Sequence, residues 1–114
     1  MANYTIYGLK NCDTCKKALK ALEASDHNVD FVDIRAEADL AKKVPEWMAE
    51  VSADTLLNRR STTWRELSLE QKSAAEQGGA AQLMIDNPTL IKRPVIENGA
   101  DVMVGWSKDS AARL

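Results

Sequence analysis

The sequence predicts an α/β chain built on a small mixed sheet, and three observations carry that prediction. Residues 4–34 read strand, helix, strand. The middle, from about residue 39 to 88, keeps helical spacing and holds no convincing strand. Residues 90–104 carry two β-rich runs around Asn98-Gly99, with a helix start after them. The order is βαβ, a helical block, then ββα.

The first strand is Tyr4-Thr5-Ile6-Tyr7, a β-branched and aromatic run that Gly8 breaks to begin a turn. Apolar positions then fall at Cys15, Ala18, Leu19 and Leu22, the i, i+3, i+4, i+7 spacing of one helix face. Ser25-Asp26-His27-Asn28 stops that helix, with His27 as a solvated loop residue of no assigned role. Val29 to Ile34 is the second strand, and two strands flanking a helix of this length predict parallel neighbours with a right-handed crossover. Leu40, Val44, Trp47, Met48 and Val51 keep helical spacing, with a start or break expected near Val44 because Pro45 follows. Trp47, Met48 and Trp64 are expected in a core. Leu56-Leu57 closes a short second piece. Ser68 with Gln71 has the pattern of a capping box, the helix after it ending at Gly78-Gly79; a last short helix, Ala80 to Ile85, ends at Asn87-Pro88. Leu90 to Ile96 is then a strand, Asn98-Gly99 a hairpin turn, Asp101 to Val104 the return strand, and Ser107 the cap of a final helix.

A length of 114 residues suits one domain with one core, here residues 1–114 with the helical insertion at about 39–88. No apolar run reaches the length of a membrane span, and the N-terminus enters a strand directly, without a secretory leader. The expected location is the cytoplasm. A net charge of −2, with scattered Lys and Arg, gives no footprint for direct nucleic-acid binding. A monomer is the default expectation.

The two cysteines, Cys12 and Cys15, are the only ones, and they form one C-x-x-C at the strand-to-helix turn. The thiolate is the reactive form of cysteine, and a helix N-terminus offers it unpaired N–H donors and a positive dipole end. Lys10, Lys16 and Lys17 add positive charge nearby, against Asp13. Residues three apart stack on a helix, so the two thiols are placed to close a disulfide. The pattern points to redox chemistry, with Cys12 attacking and Cys15 resolving. The same two residues also suit an inert core pair. A zinc site is not expected, because His27 is the only other soft ligand and structural zinc takes four. In a reducing compartment such a disulfide is transient.

Arg93-Pro94 opens the third strand. A proline there suits an edge strand, or a cis-proline that faces the cysteine turn and leaves a backbone edge to a thiol substrate. Arg93 beside it is placed to bind a carboxylate or oxyanion bidentately, and Arg60, after a helix end, to reach the same cleft.

Three stretches, Gly8-Leu-Lys-Asn-Cys-Asp-Thr-Cys-Lys-Lys-Ala, Leu56-Leu-Asn-Arg-Arg-Ser-Thr-Thr-Trp-Arg-Glu-Leu and Ile91-Lys-Arg-Pro-Val-Ile, with Val104-Gly-Trp after them, resemble the ArsC/Spx family, nearest its YffB branch. The resemblance runs over nearly the whole chain. It implies a thioredoxin-like fold with a helical insertion, Cys12 as catalytic cysteine, a cis-Pro94 and an anion-binding Arg93. For the YffB branch it implies glutathione-dependent thiol reduction, with no tightly bound cofactor, glutathione as co-substrate, and a thioredoxin or glutaredoxin as a possible partner. Lys10 and Asn11, inside the signature, join Arg93, Pro94 and Arg60 as expected substrate-binding residues. Arsenate reductases of the family use three arginines; Arg93 matches one, Asn58 stands at another with Arg59 and Arg60 adjacent, and no arginine stands near Gly105-Trp106. Cys15 departs from the single-cysteine YffB pattern and is shared with Spx-type regulators, which bind RNA polymerase. The shorter chain and the Gly8–Thr14 signature favour the YffB side.

Overall fold

A computed structural model describes residues 3–25, 27–99 and 101–106. Two compact units divide the chain: residues 1–38 with 93–114, and residues 39–92.

The first unit holds the sheet. Strands β1 (Asn3–Gly8), β2 (Asn28–Asp33), β3 (Val95–Asn98) and β4 (Asp101–Val104) lie in the order β2-β1-β3-β4. β1 runs parallel to β2 and antiparallel to β3, and β3 pairs antiparallel with β4. A parallel pair cannot be joined by a hairpin, and helix α1 (Asp13–Ala24) supplies the crossover. Together these make the mixed sheet of a thioredoxin-like fold. Alternate β1 residues Tyr4 and Ile6 pack with Ala18 and Leu22 of α1 and with Ile96 and Met103. That apolar layer fixes α1, and so its first turn, against the ends of β1 and β3.

The second unit is helical. It contains α2 (Leu40–Glu50), α3 (Ala53–Leu56), α4 (Thr62–Glu66), α5 (Leu69–Ala74) and α6 (Ala80–Asp86), with a 3-10 turn at Pro88–Leu90. Trp47 and Val44 of α2 and Met84 of α6 have no exposed surface, and these two helices pack together. Ser68 caps α5 as a full capping box, its hydroxyl accepting from the Gln71 N–H and the Gln71 side chain from the Ser68 N–H. Gly78, with φ of 92°, separates α5 from α6 in a left-handed conformation that suits glycine.

Several expectations are corrected. Gly8 does not begin the turn: it is the last residue of β1, opposite Asp33, and its carbonyl accepts from the Ile34 N–H. Pro45 sits inside a continuous α2, because its φ is compatible with a helix and buried Leu40, Val44 and Trp47 hold the segments on both sides of it. The strand expected at Leu90–Ile96 is shorter, since Leu90 ends the 3-10 turn and Ile91 makes only a single bridge to Leu57. Pro94 has no N–H for a ladder, so β3 starts at Val95. Asn98 ends β3 opposite Asp101, leaving Gly99 (φ 62°) as the first hairpin loop residue. Met48 and Trp64 are only half-buried, Trp64 lying under the Arg59 guanidinium at 5.5 Å. His27 packs edge-on against the Tyr4 ring at 4.8 Å rather than standing in solvent. The helix expected after Ser107 lies outside the described residues.

Candidate active site

The cysteine turn follows directly from β1. The Cys12 N–H donates to the Leu9 carbonyl at 3.1 Å, which closes a tight turn and leaves Lys10 and Asn11 exposed at its tip. Cys12 is then the N-cap residue of α1: its backbone is extended (φ −93°, ψ 118°), and its carbonyl accepts from the Lys16 N–H at 3.0 Å. No side chain makes a capping hydrogen bond there. The first-turn N–H groups therefore remain available to whatever stands at the Cys12 sulfur.

The two free thiols are unequal. Cys12 is half-buried and Cys15 wholly buried. A Cβ added to Gly8 would lie 2.5 Å from the Cys15 Sγ, so the sulfur occupies the space that a side chain at Gly8 would need. Burial opposes ionisation of Cys12. The N–H and S–H of Cys15 and the guanidinium of Arg93 outweigh it, and hold Cys12 below the ordinary thiol value. At Cys15, burial dominates and the neighbouring Cys12 adds to it, so that its pKa is pushed up to about 12 despite the Leu9 N–H. The result is a thiolate-prone outer sulfur that accepts hydrogen bonds from an inner thiol still carrying its proton.

Arg93 reaches this pair from the segment before β3. The Arg93–Pro94 peptide is cis, Pro94 is fully buried, and the Pro94 carbonyl accepts from the Gly105 N–H at 2.8 Å. That anchorage fixes the arginine, whose Nε is shielded from solvent, with its guanidinium donating to Cys12. The charge acting on Cys12 is thus Arg93, rather than the neighbouring lysines singled out in the sequence.

The structure therefore brings Cys12, Cys15 and Arg93 together, with Pro94 behind the arginine and Lys10 and Asn11 on the turn. Arg60 stands in the helical unit, exposed, on a cavity of about 520 Å³ that it shares with Arg59, Asn58 and Lys92. Of that arginine pair, Arg59 is engaged by Asp54 at 2.9 Å and Glu76 at 2.8 Å. Sequence reasoning missed Gly8 as the seat of the inner sulfur. The available signal was a glycine at the end of the strand that leads into the C-x-x-C.

The model of the ArsC family matches residues 7–114. An uncharacterised protein of Haemophilus influenzae is 39% identical over 106 residues, covering 91% of each chain. A solved protein called YffB superposes with a TM-score of 0.86 at 39% identity over 96% of both chains. An arsenate reductase (ArsC) related protein of Brucella melitensis superposes at 0.76 and 36% identity, over 97% of this chain and 92% of its own. The global transcriptional regulator Spx of Listeria innocua is 29% identical over 112 residues, 96% of this chain and 85% of the regulator.

Proposed function

The chain belongs to the ArsC family, on its YffB side, and from that premise we propose that it is a glutathione-dependent thiol–disulfide oxidoreductase in which Cys12 attacks and Cys15 resolves. The observation that carries this reading is the opposed pair of thiol acidities beside Arg93, lowered at Cys12 and raised at Cys15. An attacking sulfur must be anionic and accessible, and a resolving one must wait protonated until it is used.

In the first step the Cys12 thiolate attacks a disulfide sulfur, forms a mixed disulfide and expels the other half as a thiolate. Cys15, within hydrogen-bonding reach, then loses its proton and attacks Cys12 Sγ. The bound thiol leaves, and a Cys12–Cys15 disulfide remains. Reduced glutathione, or a thioredoxin or glutaredoxin, returns it to two thiols at the cost of its own oxidation. Arg93, whose guanidinium acts on the reacting sulfur, would hold a carboxylate of glutathione beside it. Lys10 and Asn11 border the approach from the exposed side of the turn. An arsenate oxyanion would be held by fewer cations than in the three-arginine pattern, which makes it the weaker substrate.

The test is Cys15→Ser exposed to oxidised glutathione and followed by intact mass. The expected result is one glutathione retained on Cys12 in the variant, and an internal disulfide without adduct in the unaltered chain. Absence of any adduct in the variant overturns the mechanism.

A second reading has a specific observation behind it: Spx regulators match 96% of this chain, and the C-x-x-C is present. Here the Cys12–Cys15 disulfide would alter a surface that binds RNA polymerase rather than turn over. Capture of the polymerase α subunit by the oxidised chain, and not the reduced one, would favour it.

A further inference from the structure

A groove of about 450 Å³ lies on the sheet-bearing unit, lined by Lys10, Lys16, Leu19, Phe31 and Glu37. Its position is set by the same helix that carries the cysteines. Lys16 and Leu19 are spaced i, i+3 on α1, just beyond Cys12, the residue that precedes its first turn. Lys10 sits on the turn two residues before Cys12. Across from the helix, the tip of the Phe31 ring lies 3.7 Å from where a Cβ on Gly8 would stand, the spot that the Cys15 sulfur also crowds. The groove thus begins at the cysteine turn and runs down α1 over an apolar floor of Leu19 and Phe31, both half-buried. Two lysines rim it against one carboxylate, and that carboxylate, Glu37, already accepts the Asp33 N–H at 3.1 Å. An apolar floor under a positive rim suits an apolar group that ends in an anion.

We infer that this groove is the subsite for one arm of the disulfide substrate, and that it selects disulfides whose sulfur carries an apolar arm ending in a carboxylate. The inference rests on the oxidoreductase reading of Cys12 and adds the class of substrate. In the step concerned, the Cys12 thiolate attacks the sulfur bearing the arm in the groove. The Cys12–S–S bond to that arm forms, the substrate disulfide breaks, and its electron pair leaves on the other sulfur as a thiolate. Cys12 is oxidised and the departing sulfur reduced, with no further reductant needed for this step.

Two probes separate the subsite from the thiol. Dithiobis(nitrobenzoate) is an aromatic disulfide with a carboxylate on each ring, and dithiodiethanol is small and uncharged. Second-order rates of both are measured on the reduced full chain, on Lys16→Glu, on Leu19→Gln and on the control Lys17→Glu, whose side chain does not line the groove. The expected result is that Lys16→Glu slows the aromatic anion about tenfold, from loss of attraction and gain of repulsion at close range. Leu19→Gln slows it severalfold. Dithiodiethanol changes by less than about twofold in each, the pH midpoint for alkylation of Cys12 does not move, and Lys17→Glu has the smaller effect on both probes. If Lys16→Glu and Leu19→Gln slow the two disulfides equally, or slow neither, the groove is not a subsite while the reactivity of Cys12 stands. If neither disulfide reacts with the unaltered chain, the oxidoreductase reading falls and the subsite with it.

Discussion

The start of α1 and the starts of α3, α4 and α5 meet the same physical problem in opposite ways. Every helix begins with N–H groups that its own backbone cannot satisfy. In the helical unit three serines meet that need locally: Ser52 accepts from the Thr55 N–H at 3.2 Å, Ser61 from the Trp64 N–H at 3.1 Å, and Ser68 from the Gln71 N–H at 3.1 Å. At α1 the equivalent position is Cys12, which makes no such cap. A neutral thiol is a weak acceptor, so the need goes unmet until the sulfur becomes an anion. The serine-capped ends spend their donors on stability; the cysteine-capped end keeps them for a charge. Asp39 also leaves the start of α2 without a side-chain cap, so what sets the start of α1 apart is the sulfur at its N-cap.

The largest effect should come from making that exchange in reverse. Cys12→Ser is expected to reduce thiol transfer to background. It should also stabilise the fold, by up to about 1 kcal/mol, because the hydroxyl supplies the missing cap. Activity assays and urea melts on the same sample check both halves, and a variant that loses activity and stability together would break the comparison.

Next is the seat of the inner sulfur. Gly8→Ala sets a methyl 2.5 Å from the Cys15 Sγ and should cost about 1–3 kcal/mol, as overpacking does. In a Cys15→Ala background the same change should cost less, since only the Cys15 Cβ at 3.2 Å remains to be displaced. A double-mutant cycle measures the difference, and equal costs in both backgrounds would show that the sulfur is not what Gly8 accommodates.

The buried thiol also predicts a pH dependence. Its pKa is raised from 9.0 to about 12. Between those values the unfolded chain has lost the Cys15 proton and the folded chain still holds it, so the unfolded state binds fewer protons and stability falls as pH rises. The slope from this group is up to about 1.4 kcal/mol per pH unit. Denaturation of the unaltered chain and of Cys15→Ala across that window isolates it: the unaltered chain should weaken more steeply, and parallel curves would contradict the assignment.

The smallest effects belong to the serines. Ser52→Ala and Ser68→Ala are each expected to cost about 1 kcal/mol, with the alkylation profile of Cys12 unmoved.

Much of this contrast is legible before any coordinates. Strand propensity at Tyr4–Tyr7, the apolar spacing from Cys15 to Leu22 and the Ser68–Gln71 pair are local signals, and local signals survive into the fold. The cap of α4 by Ser61 carries a weaker signal, because Trp64 and not Glu or Gln stands three residues on. What local pattern does not carry is distance in space. That Arg93 reaches Cys12 depends on how β3 pairs with β1, a contact across some ninety positions of chain. The role of Gly8 depends on a sulfur seven residues on. Pro45 misleads for the complementary reason: its local preference is to end a helix, and buried neighbours on both sides override it.

The N–H and S–H of Cys15, with Arg93, outweigh burial and hold Cys12 more acidic than an ordinary thiol. The rate of Cys12 alkylation by iodoacetamide against pH, in the unaltered chain and in Arg93→Gln, tests this most directly. Cys15, wholly buried, should not react on the same timescale. A midpoint below 9.0 is expected in the unaltered chain, moving upward when the arginine is lost. A midpoint at or above 9.0, or one indifferent to Arg93, would contradict it.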